Sequence, residues 1–79
     1  MFYISDTIRK VMIDRRVSVT TLAAALGLLQ PSLSRKLQNP EEDYKIAYLQ
    51  NIAKALDCDI VIQIIDSKSG ATLYTLRDE

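Results

Sequence analysis

The sequence predicts a mainly α-helical domain of four to five helices that ends in a two-stranded antiparallel β-hairpin. Apolar residues recur at helical spacing as far as about Leu56, and small and chain-breaking residues near the middle favour two short helices that cross closely. After Leu56, β-branched residues at strand spacing take over. A chain of 79 residues is one domain that buries only about 60% of its unfolded surface, so a partner subunit would add useful stability.

The first helix is predicted from about Ser5 to Arg16. Ser5 or Asp6 is its expected N-cap, because a short polar side chain can accept from an orphan N–H group of the first turn. The residues expected on its inward face are Ile4, Ile8, Val11 and Met12.

Two short helices are predicted next, over about Val19–Leu26 and Pro31–Gln38. Ser18 is the expected N-cap of the first, and Gly27 can end it in the left-handed region without a Cβ clash. Pro31 fits the first turn of the second helix, where its missing N–H costs nothing. The residues assigned to the core across the central and closing helices are Leu22, Ala23, Leu26, Leu33, Leu37, Leu49, Ile52 and Leu56.

A loop and a further helix are predicted after this pair. Asn39-Pro40 stops the chain before an acidic run at 41–43, and the closing helix covers about Ile46–Leu56. The pattern leaves open whether Pro40–Lys45 adds a separate helical turn. Tyr44 and Tyr48 are expected to pack half-buried, although their hydroxyl groups could also reach a phosphate.

The chain is predicted to close with a β-hairpin whose strands cover Ile60–Asp66 and Ala71–Arg77 around a turn at 67–70. Its first strand is apolar on both faces, so we expect cover on both: the helices on one face and a second copy of the hairpin on the other. A monomer that tolerates an apolar strand is the alternative. The residues predicted to form the dimer interface are Ile60, Val61, Ile62, Ile64, Ile65, Leu73, Tyr74 and Leu76.

Charge is unevenly distributed along a chain whose formal net charge is zero. Residues 1–56 hold eight lysines and arginines against five acids, a net +3, and residues 57–79 hold two against five, a net −3. A basic helical part joined to an acidic tail is typical of a DNA-binding domain with a separate assembly element, because only the groove-facing surface must neutralise phosphate. Ordinary scatter in a small sample is the alternative.

An enzyme is excluded, and neither a metal site nor a cofactor is predicted. Histidine is absent, so the lone Cys58 lacks the usual co-ligands for zinc and the usual base for a cysteine nucleophile. We interpret Cys58 as a small apolar residue at a helix end. The adjacent acids at 41–43 are interpreted as a solvated loop, because neighbours in sequence seldom converge on one ion. Paired catalytic carboxylates, a glycine-rich phosphate loop and a nucleophile with a base are all missing.

Neither a membrane span nor a signal peptide is predicted. The sequence has no apolar run of about 18 residues and no basic stretch followed by a short apolar core. The expected location is the cytoplasm.

The ordered series TLAAALG, SLSRKL and LQNIAKAL resembles the lambda-repressor-like, or Cro/XRE-type, helix-turn-helix family. The likeness covers about residues 5–58. It implies a DNA-binding domain over residues 1–58, with residues 59–79 as a dimerisation hairpin in the same structural domain, since Cro-type relatives dimerise through C-terminal strands. It further implies a sequence-specific transcriptional regulator, a repressor that binds a near-palindromic operator as a homodimer.

The resemblance also assigns roles on the third helix and at the start of the second. Gln30 matches a common glutamine that can pair with an adenine edge or brace a phosphate, and Arg35 falls where relatives reach a base edge, with guanine its best target. Lys36 is expected to contact phosphate from the flank. Pro31 stands where many relatives have a polar base-reading residue, so it could contact a thymine methyl group. The remaining residues expected to approach bases or phosphates are Thr20, Thr21, Ser32 and Ser34.

Other interpretations stay open at this point. Each named contact residue could instead be a solvated residue on an exposed helix face, and the hydroxyl groups could only cap helices. The hairpin could bind a different protein, as in an antitoxin-like module whose helices bind DNA weakly or not at all. An RNA-binding domain is less favoured, because the outer face lacks an aromatic stacking platform.

Overall fold

The computed structural model describes residues 3–77 and places four helices before a two-stranded antiparallel hairpin. The predicted fold class is confirmed. Helix α3 packs against α1 and α2, and α2 packs against α4. No helix within the described range is long and apolar enough to cross a membrane. The elements are α1 Ile4–Arg15, α2 Val19–Leu26, α3 Gln30–Gln38, α4 Ile46–Ala55, β1 Val61–Ile65 and β2 Thr72–Arg77.

One apolar core lies between the four helices. Leu33 at the centre of α3 is fully buried, and its neighbours come from every helix. Leu26 and Leu49 were predicted in the core but are only partly buried, because Leu26 ends α2 and Leu49 borders a surface groove. The buried apolar residues are Ile8, Met12, Leu22, Ala23, Leu33, Leu37, Tyr44, Ile52, Ala53 and Leu56.

Both ends of α2 follow their local sequence signals. The Oγ atom of Ser18 accepts from the Thr21 N–H at 3.1 Å and donates to the Thr21 hydroxyl at 2.9 Å. Gly27 adopts φ +69°, and the N–H of Leu28 bonds the Ala23 carbonyl at 2.9 Å. The predicted N-cap and C-terminal glycine are therefore both confirmed.

The predicted cap of α1 is wrong. The helix begins at Ile4 with Tyr3 as its N-cap, so Ser5 lies inside the first turn. Its side chain is fully buried and makes contacts with residues more than 30 positions away, described below. A hydroxyl used in tertiary packing is unavailable for capping, and the sequence around Ser5 does not distinguish the two uses.

The segment between α3 and α4 forms a turn and no separate helix. Asn39 organises it, since its Oδ1 atom accepts from the Glu41 N–H at 3.1 Å and its carbonyl accepts from the Glu42 N–H at 3.3 Å. Pro40–Lys45 therefore adds no separate helical turn.

The hairpin pairs Ile62 with Leu76 and Ile64 with Tyr74, and a bulge after Ile64 brings Ile65 opposite Thr72. Its turn is closed by Asp66, whose Oδ1 atom accepts from the N–H groups at 68 and 69. The expected cover on both faces is not found within one chain. Only Ile62 of the apolar strand residues is half-buried in β1, and every residue of β2 is exposed.

Candidate nucleic-acid interface

The first turn of α2 presents its threonines to solvent. Leu22 is the first residue of this helix whose N–H bonds an intrahelical acceptor, the Ser18 carbonyl. The preceding N–H groups at Val19 and Thr20 therefore point out of the helix end, where an anion can accept from them. Thr20 and Thr21 are both exposed beside that end, but the N–H of Thr21 is already used by the Ser18 cap.

Helix α3 is held by two leucines and presents its opposite side to solvent. Leu33 is 0% exposed and Leu37 is 2% exposed. Because each residue turns an α-helix by about 100°, Arg35 lies about 200° from both leucines and points directly away from the core. Its side chain is exposed.

The other predicted contact residues of α3 divide by exposure. Gln30, Pro31 and Ser32 are exposed in the first turn, whereas Ser34 and Lys36 are half-buried on the flanks. Pro31 lies in the first turn as expected, so its missing N–H leaves no helical bond unmade. Gln30, Pro31, Ser32 and Arg35 are therefore all exposed, and the side of the helix around Arg35, with Pro31 and Ser32, is called the outer face of α3.

Lys36 has intramolecular partners that the sequence did not reveal. Its Nζ atom lies 3.0 Å from Oε1 of Glu42 and 5.4 Å from the centre of the Tyr48 ring. The hydrogen bond with Glu42 raises the pKa of the Lys36 ammonium above its usual 10.5, since burial, which opposes it, is the smaller effect. Lys36 is therefore a charged group with its own counter-ion, and 40% of its side chain remains exposed.

Tyr48 lies beneath this ion pair. Burial raises the pKa of its phenol above the usual 10.0, and the nearby Lys36 charge opposes that shift. Its hydroxyl is buried with no hydrogen-bond partner among residues 3–77. The ring of Tyr44 lies 6.0 Å away at a tilt of 54°. The two tyrosines thus support the flank of α3 from within, in agreement with the packing role predicted for them.

The C-terminal end of α3 is fixed by buried hydroxyl groups. The Ser5 Oγ atom lies 3.0 Å from the Lys36 carbonyl, 2.9 Å from the Asn39 carbonyl and 2.7 Å from the Tyr44 hydroxyl. The last carbonyl groups of a helix have no intrahelical partner, so these side chains satisfy them. This network joins α1 and the 40–45 loop to α3. Sequence reasoning missed it because its members are 31 to 39 positions apart.

The basic residues of α1 are partly neutralised on their own helix. Asp6 lies 3.2 Å from Arg9 and 3.3 Å from Lys10, and all three are exposed or half-exposed. Pairs of this kind are worth little in energy but reduce the local positive charge. Arg35 has no such acidic neighbour among the ion pairs of the described residues.

These helices, with a buried α3 anchor and an open polar face, form a helix-turn-helix of the kind that DNA-binding domains use. The family model for Cro/C1-type HTH DNA-binding domains matches residues 7–65. The chain belongs to this family, which is a family of DNA-binding regulatory domains and not of enzymes. Comparison with curated proteins and with solved structures found no significant match.

Proposed function

We propose that this protein is a homodimeric, sequence-specific transcriptional repressor that binds a near-palindromic operator with α3 in the major groove. The observation that carries the proposal is the position of Arg35, which is exposed and directly opposite the buried anchors of α3 in a chain of this DNA-binding family. Residues 1–58 would bind the duplex and residues 59–79 would hold the two copies together. As a DNA-binding protein it is assigned to the cytoplasm.

Within a half-site, Arg35 is proposed to read a guanine and Gln30 an adenine, because their side chains can form paired hydrogen bonds with those base edges. Pro31 would contact a thymine methyl group, and Ser32 and Ser34 would approach bases or phosphates. The start of α2, with Thr20 and Thr21, would bind a backbone phosphate at the helix end. Lys36 would contact a flanking phosphate if that phosphate displaces Glu42.

This mechanism requires a homodimer, because one half-site alone gives too few contacts for tight binding. Two copies of α3 about 34 Å apart can enter successive major-groove faces of one duplex. The proposed interface is formed by Val61, Ile64, Ile65, Leu73, Tyr74 and Leu76, each about half exposed or more, with Ile60 and Ile62 at its half-buried base.

Titration of a fluorescent pool of duplex fragments with the protein at low salt tests the proposal. We expect binding that weakens steeply as salt is added, because phosphate neutralisation releases counter-ions. Arg35→Glu should abolish it, whereas Lys68→Glu, the same charge change in the hairpin turn, should leave it nearly unchanged. No binding by the unaltered protein at any salt concentration would refute the proposal.

A second candidate is supported by the exposed hairpin. Its apolar side chains could bind a different protein, as in an antitoxin-like module. Mass in solution separates the two: a mass twice that of the chain supports the homodimer, whereas a monomer that forms a complex with the product of a neighbouring small reading frame supports the second candidate.

A further inference from the structure

The chain exposes more surface than a folded monomer of its size should. Its accessible surface is 6165 Å², whereas a monomer of 8.9 kDa is expected to expose about 4,800 Å². Its radius of gyration is 13.9 Å, against about 12 Å expected for this length. The excess surface exceeds the roughly 800 Å² that each partner buries in a standard protein interface. The excess is therefore large enough to supply one partner's share of a standard interface with a further chain.

The hairpin exposes apolar side chains on both of its faces, and the largest of them, Tyr74, lies on one. Cross-strand partners project to the same side of a sheet, so the pairs Ile62–Leu76 and Ile64–Tyr74 define one face, which we call the apolar face. On it, Ile64, Tyr74 and Leu76 are 51%, 71% and 55% exposed. The opposite face carries the polar pair Gln63–Thr75, with Val61 and Ile65, which are 48% and 50% exposed, on either side of it. Tyr74, the most exposed of the hairpin's large apolar side chains, lies on the apolar face.

A matching depression lies at the base of the hairpin, between α1, α4 and the start of β1. This groove has a volume of about 660 Å³, and β2 contributes nothing to its lining. Residues 60–63 all line the groove, and because Ile62 among them belongs to the apolar face, the groove and the apolar face are continuous. Its other apolar walls include Ile4, Ile8, Val11, Leu49 and Ile52.

We propose that, in the homodimer, the apolar face of each hairpin packs into the groove of the other copy. The inference rests on the homodimer of the proposed function and specifies which surfaces meet. A two-fold interface requires one patch that is complementary to itself, and a groove continuous with a projecting apolar face is such a patch. The net charge of −3 on residues 57–79 also favours contact with the helical part of another copy, whose net charge is +3.

The single cysteine provides a direct test. Cys58 lines the groove. Strand residues 61–64 by themselves span about 10 Å, so Cys58 and Ile64 of one chain lie too far apart for an internal disulfide. Ile64→Cys, Tyr74→Cys and Leu76→Cys are made singly, each with and without Cys58→Ser, and mildly oxidised. Thr75→Cys, on the opposite face, is the matched control.

We expect at least one apolar-face cysteine to give a disulfide-linked dimer that disappears when Cys58 is replaced by serine, and Thr75→Cys to give none. Dimers that persist without Cys58 would show hairpin-to-hairpin contact and overturn the inference. A solution dimer that forms no link from any apolar-face position would also overturn it.

A second measurement avoids disulfide geometry. Tyr74→Glu should weaken the dimer about tenfold or more, because it buries a charge against the apolar groove, and Thr75→Glu should weaken it much less. Equal effects would contradict the assignment of faces. Binding to a single half-site, measured on the same samples, distinguishes the two proposals: if the unaltered protein is a monomer in solution and still binds duplex, the groove contact is refuted and DNA binding is left intact.

Discussion

The ammonium of Lys36 lies 3.0 Å from the carboxylate of Glu42, so a lysine on the flank of the proposed reading helix carries its own counter-ion. Glu42 is in turn bonded by the Asn39 side chain at 3.3 Å, which holds the carboxylate in place. A phosphate that approaches Lys36 must compete with this pair. The charge of Lys36 is therefore less available to attract the phosphates of a duplex of any sequence.

Glu42→Gln should strengthen binding to duplexes of any sequence. It removes the carboxylate that competes with phosphate for Lys36, so the slope of log affinity against log salt should steepen by less than the roughly 0.9 of one whole new phosphate contact, since Lys36 already contributes part of one. Loss of a half-exposed ion pair should cost only about 0.5 kcal/mol of stability. Glu41→Gln, the same change at an exposed neighbour, is the control. If both variants bind equally tightly, Glu42 does not restrain Lys36.

Arg35→Ala should weaken binding to the preferred sequence by about 1 to 3 kcal/mol and relax the preference at one base pair. Its side chain is exposed, so the free energy of unfolding should stay within about 0.5 kcal/mol of the original. Lys36→Ala should instead weaken all duplexes alike and flatten the salt dependence. Binding titrations against matched and mismatched duplexes measure both. Uniform losses for both variants would contradict this division of roles.

Ser5→Ala should destabilise the protein by about 1 to 3 kcal/mol, because it removes the buried hydroxyl that joins the Lys36 and Asn39 carbonyls to Tyr44. Denaturant unfolding measures the loss. Tyr44→Phe should cost a comparable amount, and the double variant less than the sum, since both hydroxyl groups belong to one network. Ser32→Ala, on the outer face of α3, is the control. Strict additivity would show that the network is not cooperative.

Stability should fall as pH rises above about 10. The folded-state pKa values of both Lys36 and Tyr48 are raised, from 10.5 and 10.0. The stability each provides is therefore complete below its unfolded-state pKa and is lost as pH rises through its folded-state pKa. Thermal midpoints measured across this window should show the loss, and the double variant Lys36→Met with Tyr48→Phe should show a smaller one. Identical pH profiles for the unaltered protein and the double variant would show that Lys36 and Tyr48 do not cause the loss of stability.

The elements and the outer face of α3 could be predicted because their signals are local. Ser18 and Gly27 act within one turn of α2, and the leucine spacing of α3 determines that Arg35 points outward. Periodicity also predicted both strands to within one residue of their observed ends.

The contacts that support α3 could not be predicted, because they join distant segments. Nothing near Ser5 indicates that its hydroxyl meets Tyr44, 39 positions later, and the acidic run at 41–43 gave no sign that Glu42 would pair with Lys36. How much of the hairpin the helices bury also depends on the direction in which β1 extends from the end of α4. Sequence pattern identified the apolar residues but not the groove beside them.

Selection of bound sequences from a random duplex pool tests the central claim most directly. We expect an enriched pair of short inverted sequences about one helical turn apart, and a large loss of affinity when about five base pairs are inserted between them, because the half-sites then face opposite sides of the duplex. An unaltered pool, or binding indifferent to the spacing, would contradict the account.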